Sequence, residues 1–99
     1  MTMEITQARH NDVIELRLAG RLDSAWSDHL AAVVSDVIRA GNHRIALDME
    51  GVGFLTSAGI RVLVKFHKQL KGIGGRLAVI RPSPFVSDVL GSMGLSSLV

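Results

Sequence analysis

Ser57 is the residue of this chain whose type and position best suit chemistry. It lies in the stretch Thr56-Ser57-Ala58-Gly59, after a glycine-bearing segment and at the predicted start of an amphipathic helix. The first turn of a helix has unpaired backbone N–H groups, which can bind an anion attached to a side chain there. The position therefore suits a hydroxyl group that accepts a phosphate.

Helix capping is an alternative interpretation of the same residues. Ser and Thr are preferred N-cap residues because their side-chain oxygen accepts a hydrogen bond from a free N–H group. Either Thr56 or Ser57 could fill this role. The local pattern alone favours capping over phosphorylation.

A catalytic serine is a third interpretation, and the sequence argues against it. A hydrolase nucleophile elbow needs Gly-x-Ser-x-Gly in a tight turn from strand to helix. Gly59 fits, but Leu55 stands at the first glycine position, and the preceding strand is predicted to end at Met49, about eight residues earlier. Beyond Ser57 the only carboxylate is Asp88, with no histidine behind it. We therefore expect no enzyme.

Metal and nucleotide sites are not predicted either. The histidines fall on different predicted elements, without a second ligand at a zinc-like spacing; they are His10, His29, His43 and His67. The pattern of the second helix predicts instead that His67 is partly buried and hydrogen-bonded. The glycines of residues 72–75 follow a helix rather than a strand, so they favour a helix-stopping turn over a phosphate-binding loop. No metal or cofactor is expected.

Composition indicates one globular domain over residues 1–99. The hydrophobic fraction of 47% excludes intrinsic disorder, and the absence of cysteine fits a reducing compartment. The N-terminus lacks the features of a signal peptide. No apolar run approaches the roughly 20 residues that span a bilayer. These features predict a cytoplasmic protein without membrane insertion.

The charges are divided unevenly along the chain. Residues 1–50 hold five Arg and eight Asp or Glu, which sum to −3, whereas residues 51–99 hold six Lys or Arg and one Asp, which sum to +5. The basic residues do not alternate with aromatic ones as in a base-stacking surface, so nucleic-acid binding is not expected. The asymmetry could orient the molecule toward a partner, or it could be an ordinary solvated surface.

The hydrophobic periodicity predicts four strands and three helices. Residues 2–9 and a second strand that ends at Gly20 are predicted to form a hairpin. The helix that follows begins after Asp23 or Ser24 and closes at Gly41-Asn42. The other predicted elements are a strand at 43–49, a loop at 50–55, a helix at 57–71, a strand at 77–80 and a helix at 84–93. The mostly apolar strand 77–80 is predicted to be central in the sheet. This order predicts an α/β domain with a mixed central sheet of about four strands, in which the N-terminal hairpin is antiparallel and the remaining strands are parallel. About three helices should pack against it.

Three segments in this order resemble one known family. Gly-Val-Gly-Phe-Leu-Thr-Ser-Ala-Gly-Ile-Arg-Val-Leu at 51–63 is similar to the signature of the STAS domain, and specifically to that of bacterial anti-sigma-factor antagonists. The segment Gly-Arg-Leu-Asp at 20–23 is similar to the family's Gly-x-Leu-Asp, and Gly-Gly-Arg-Leu at 74–77 to the glycine pair before its last central strand. The likeness covers almost the whole chain.

The resemblance implies a phosphorylation switch at Ser57. In the family, a GHKL-type serine kinase that is also the anti-sigma factor modifies this serine, and a PP2C-type phosphatase restores it. The unmodified domain binds the kinase and releases the sigma factor. The resemblance makes phosphorylation of Ser57 the favoured interpretation over capping. It also implies a partner-binding surface formed by Asp23, Thr56, Ser57, Ala58, Gly59 and Arg61.

The chain departs from the family pattern at three positions. Many members have Asp-Ser-Ser-Gly where this chain has Thr56-Ser57-Ala58-Gly59, so an acidic neighbour is absent and only one serine remains. Arg61 stands where many members have glycine, one helical turn after Ser57, where it could pair with a phosphate. The alternative function is that of a STAS scaffold subunit of a transporter or stress-signalling complex, which is not phosphorylated.

Overall fold

The computed structural model describes residues 4–95 and Leu98. The elements are β1 (Glu4–His10), β2 (Val13–Leu22), α1 (Ser24–Arg39), β3 (Arg44–Leu55), α2 (Ser57–Gly72), β4 (Arg76–Ile80) and α3 (Pro84–Ser92). None of the helices in these residues is both long and apolar enough to cross a bilayer. Residues 2 and 3 of the predicted first strand lie outside the described residues.

The four strands form one mixed sheet in the order β1-β2-β3-β4. β1 and β2 pair antiparallel through a two-residue turn, in which Asn11 adopts a left-handed conformation with φ 58°. Asn tolerates this region better than most residues, which makes it suitable for a tight hairpin turn. The pairs β2–β3 and β3–β4 are parallel. The predicted α/β architecture with an antiparallel hairpin is confirmed.

The core lies between the sheet and the helices α1 and α2. Every second residue of the inner strands points into it, because side chains alternate between the two faces of a strand. The strands contribute Ile14, Leu16, Leu18, Ile45, Leu47, Leu77 and Val79, all buried. The helices contribute Leu30, Val34 and Val37 from α1 and Leu63, Phe66 and Leu70 from α2. His67 is partly buried beside this core and its Nδ1 lies 3.4 Å from the Leu77 carbonyl oxygen, as the sequence predicted.

The predicted loop at residues 50–55 is wrong, because β3 continues to Leu55. Its register with β2 shifts twice, between Arg17 and Ala19 and again between Gly20 and Arg21. In each shift β3 has one residue more than β2, which is the signature of a β-bulge. Gly51 fits here because a Cβ atom at this position would lie 3.0 Å from the Cβ of Ala19. Gly53 is therefore the extra residue of the second bulge, and Gly51 borders the first, both within a continuous strand.

The end of β2 and the placement of β4 also differ from expectation. β2 extends beyond Gly20 to Leu22, with Gly20 at φ 121° inside the strand. β4 is an edge strand rather than a central one. Its apolar character comes from its two faces, since Leu77 and Val79 are buried under α2 while Ala78 and Ile80 are half-buried on the opposite face. Apolar faces do not determine whether a strand has a neighbour on each edge.

A buried carboxylate, Asp48, organises the sheet face turned away from this core. Only 3% of Asp48 is exposed, and its Oδ2 accepts a hydrogen bond of 2.9 Å from the Arg81 Nε. Arg17 Nε lies 3.4 Å from the same oxygen, and Arg81 also reaches Glu15 at 3.2 Å. Arg81 is held at φ 47°, a region that costs a non-glycine residue about 1–2 kcal/mol. These ion pairs fix the connection from β4 to α3.

The pKa of the Asp48 carboxyl is held below its usual range by these contacts. Burial by itself would raise this pKa, because it removes the charged form from water. The hydrogen bond from the Glu50 N–H, the hydrogen bond and charge of Arg81 and the charge of Arg17 outweigh that effect. Asp48 therefore stabilises the folded protein when it is ionised.

We expect Asp48→Asn to lower the free energy of unfolding at pH 7 by about 1.5–3 kcal/mol, the scale of a lost hydrogen bond to a charged group. Because the folded pKa is lower than the unfolded one, the contribution is present above the unfolded pKa and is lost as the pH falls through the folded pKa. Urea unfolding from pH 7 to pH 2 should therefore show that the free energy of unfolding falls less with decreasing pH in the variant than in the wild type. Asp36→Asn is the control, since its pair with Arg39 is exposed and should contribute under about 0.5 kcal/mol. Equal effects of the two substitutions would contradict the assignment.

Candidate functional site

The start of α2 is tied to the end of β2 by a single carbonyl group. The carbonyl oxygen of Leu22 accepts a hydrogen bond of 3.1 Å from the Thr56 N–H and one of 3.2 Å from the Thr56 hydroxyl. Leu22 is also the register partner in the sheet of Leu55, the residue directly before Thr56. Asp23 follows Leu22 in the chain, and Ser57 follows Thr56. The two hydrogen bonds therefore bring together two of the segments that resemble the family, residues 20–23 and 51–63.

Thr56, not Ser57, is the N-cap of α2. Its backbone is extended, with φ −87° and ψ 169°, and its Oγ1 accepts a hydrogen bond of 3.4 Å from the Gly59 N–H. One hydroxyl can donate to Leu22 and accept from Gly59 at the same time, because it has one proton and two lone pairs. The sequence left capping open between Thr56 and Ser57. The structure assigns it to Thr56, and Ser57 takes no part in these bonds.

The residues of the predicted partner surface differ in exposure. Ser57 and Arg61 are exposed, Thr56 and Ala58 are half-buried, and Gly59 is buried. A Cβ atom at position 59 would lie 2.8 Å from the Leu22 Cγ, so glycine allows α2 to approach β2 closely. The contribution of Gly59 to the site is this close packing. Direct contact of the exposed residues with a partner stays a prediction.

Asp23 caps α1 at the border of the same site. Its Oδ1 accepts a hydrogen bond of 3.1 Å from the Trp26 N–H, and its carbonyl oxygen accepts one of 2.6 Å from the Ser27 hydroxyl. Ser24, the other sequence candidate for the cap, is the first residue of the helix. The capping role of Asp23 is therefore confirmed, and its contact with a partner is a separate prediction.

Two features at the start of α2 favour a negative charge on Ser57. The first turn of α2 contains no acidic residue, so its N–H groups present an uncompensated partial positive charge. Arg61 follows Ser57 by four residues, the spacing at which helical side chains meet. Within the described residues no carboxylate lies within 4.0 Å of Arg61. An anion attached to Ser57 would thus meet both free N–H groups and a cation.

An aromatic cluster that the sequence pattern does not predict lies beside the end of β3. The Arg21 guanidinium lies 4.0 Å from the centre of the Phe54 ring, and this ring stacks on Phe85 with centroids 6.1 Å apart. Phe85 is 39% exposed. Arg21 and Phe54 are register partners directly before the buried pair Leu22 and Leu55, so they point away from the core. The sequence pattern predicts a loop at residues 50–55, and a loop has no such alternation of faces.

The geometry changes one argument against a catalytic serine. β3 ends at Leu55, only two residues before Ser57, so the spacing from strand to helix does not exclude a nucleophile elbow. The departures in residue type remain, since Leu55 replaces the first glycine and no histidine follows Asp88. The structure provides no group of three metal-ligating side chains in residues 4–95.

We expect Thr56→Ala to lower the free energy of unfolding by about 1 kcal/mol or more, because it removes an N-cap and a bond to β2. Ser57→Ala is the matched control at the next residue and should change it by less than about 0.5 kcal/mol, since Ser57 is exposed and caps nothing. Thermal or urea unfolding of both variants measures the difference. A larger loss in Ser57→Ala would mean that Ser57 is the structural residue.

Known proteins support the relationship suggested by the sequence. A family model described as the STAS domain matches residues 4–99. An anti-sigma F factor antagonist of Paenibacillus polymyxa is 29% identical over 100 residues, covering 100% of this chain and 86% of that protein. The anti-sigma factor antagonist SpoIIAA in its unphosphorylated form has a TM-score of 0.83 and 25% identity, over 96% of this chain and 84% of that chain. The phosphorylated form of SpoIIAA, a Bacillus cell fate determinant, has a TM-score of 0.78 and 24% identity, over 96% and 87%. The chain belongs to the STAS domain family.

Proposed function

We propose that this protein is an anti-sigma-factor antagonist that works as a phosphorylation-controlled binding switch. Its unphosphorylated form binds an anti-sigma factor that is also a GHKL-type serine kinase, and this binding frees a sigma factor. The kinase phosphorylates Ser57 and so ends the interaction. A PP2C-type phosphatase restores the hydroxyl. The protein acts by binding and catalyses no reaction itself.

The exposure of Ser57 beside an independent helix cap is the observation that carries this proposal. A kinase must reach the hydroxyl group, and Ser57 is exposed at the first position of α2. Modification must not unfold the substrate, and the cap of α2 is on Thr56. Among similar proteins, SpoIIAA is an anti-sigma factor antagonist that has been solved both with and without phosphorylation.

Electrostatics explains how one phosphate can control binding without refolding the domain. A phosphoserine carries about −1.5 to −2 charges at neutral pH. At a helix N-terminus a negative charge is stabilised by roughly 0.3–1 kcal/mol, so the free domain tolerates it. A partner that covers residue 57 would have to remove water from this charge, which is costly without a matching cation. A loss of only about 1.4 kcal/mol is a tenfold loss of affinity.

We expect intact-mass spectrometry to detect one added phosphate after incubation with ATP and the proposed partner, a GHKL-type serine kinase from the same organism. The gain should be absent in Ser57→Ala and present in Thr56→Ser, which keeps the cap hydroxyl. A PP2C-type phosphatase should reverse it. Phosphate that persists in Ser57→Ala would place the site elsewhere.

We expect Ser57→Asp to weaken binding to the same kinase by at least about tenfold in calorimetry, while Ser57→Ala binds like the wild type. Asn11→Asp is the control because it adds the same charge at an exposed position in the turn between β1 and β2, at the opposite end of β2 from Leu22. It should leave the affinity within about twofold. A non-phosphorylated scaffold subunit would instead bind its partner equally in both Ser57 variants, and that result would eliminate the switch.

A further inference from the structure

An apolar groove with cations from one helix runs between α2 and the end of α3. The groove has a volume of about 600 Å³, and its described apolar lining consists of Ile60, Val64, Met93 and Leu95. Met93 is 56% exposed, although a side chain of this size and hydrophobicity usually packs against other apolar groups. We call this surface, together with Arg61, Lys65 and Lys68, the basic groove.

The cations of the basic groove follow one side of α2. Arg61, Lys65 and Lys68 are spaced by four and three residues, so they form one row about 10 Å long. In the described residues none of them has a carboxylate within 4.0 Å. The Lys65 Nζ lies 5.0 Å from the centre of the Phe66 ring, a contact that does not neutralise its charge. The row is therefore complementary to an acidic surface.

The groove suits a helix better than a strand. Helices α2 and α3 pair their backbone groups internally, so their sides offer no free edge to which an extended peptide could add. An occupant must satisfy its own backbone, as a helix does. A helix with apolar residues on one face and carboxylates at spacings of four and three residues would match both the lining and the row of cations.

We propose that the basic groove binds an acidic amphipathic helix of the kinase anti-sigma factor, a proposal that rests on the function assigned above. The groove starts at Ile60 and Arg61, one helical turn from Ser57, so it is continuous with the phosphorylation site. A phosphate on Ser57 competes with the partner's carboxylates for Arg61, and it repels the helix that the groove attracts. The groove thus supplies affinity, and Ser57 controls its use.

The test measures affinity for the purified kinase in variants of the exposed groove residues. We expect Lys68→Glu and Met93→Asp each to weaken binding about tenfold or more, and wild-type affinity to fall as salt is raised. Arg39→Glu and Ile73→Asp are matched controls. Arg39 is exposed at the end of α1, and Ile73 is 51% exposed outside the groove. Both should bind within about twofold of the wild type. Circular dichroism and urea unfolding verify that each variant is folded.

The occupant is identified by cross-linking, which this chain allows because it contains no cysteine. A photoreactive maleimide on Met93→Cys should attach to a helical, carboxylate-rich segment of the kinase, whereas the same label on Ile73→Cys should not. Attachment to a basic or non-helical segment would overturn the proposal. So would a dimer of this chain alone that Met93→Asp dissociates, because the groove would then bind a second copy.

The outcomes separate the two proposals. Normal binding of the kinase by all groove variants would contradict the groove proposal and leave the proposed phosphorylation switch unaffected. A wild-type protein that does not bind the kinase at all would contradict both proposals.

Discussion

The carbonyl group of Leu22 is the contact on which the arrangement of the site depends. It accepts both the backbone N–H and the hydroxyl of Thr56, so it joins the last residue of β2 to the residue that caps α2. A buried carbonyl group at a strand end needs partners, because leaving it unpaired would cost about 1–3 kcal/mol. Satisfying this one acceptor brings Asp23 and Ser57 to the same corner of the molecule. Gly59 permits the close approach that the bond requires.

The opposite end of the site is fixed from the other face of the sheet. The pairing of Asp48 with Arg81 holds the connection after β4, and Ser83 continues it by donating from its N–H to the Met49 carbonyl and from its hydroxyl to the Val52 carbonyl. The Ser83 hydroxyl oxygen also accepts from the Val86 N–H and caps α3. These bonds attach α3 to β3. The position of the wall of the basic groove formed by α3 thus depends on a carboxylate on the far side of the sheet.

The sequence predicted the fold class because amphipathic patterns determine which faces are buried. The stripes of α1 and α2, the alternation in β2 and the order of elements were sufficient for the mixed sheet. The prediction from the sequence failed where a residue type has two structural uses. Gly51 and Gly53 suggested a loop, but glycine also accommodates bulges, and whether β3 continues depends on its pairing with β2, which is a tertiary property. The central placement of β4 failed for a similar reason, since Leu77 and Val79 report burial of a face and carry no information about strand edges.

For the site, the family resemblance implied that Asp23 and Ser57 share one surface, but no local pattern predicted that the Leu22 carbonyl joins their segments. The sequence could not choose between Thr56 and Ser57 as the cap, because both hydroxyls suit that role and the choice depends on how the helix enters from β3. Arg21 and Phe54 went unnoticed because their outward orientation depends on the same strand extension. The basic groove needs α3 to be placed against α2, and no local pattern encodes that distance.

The separation of capping from the adjacent hydroxyl has an evolutionary consequence. Because Thr56 stabilises α2, selection for a folded domain acts on residue 56, while selection for regulation acts on residue 57. Substitutions at the second position can silence the response, or fix it in one state, without making the polypeptide a target for proteolysis. Duplicated copies of such a domain can therefore diverge in how they are controlled while keeping the same scaffold.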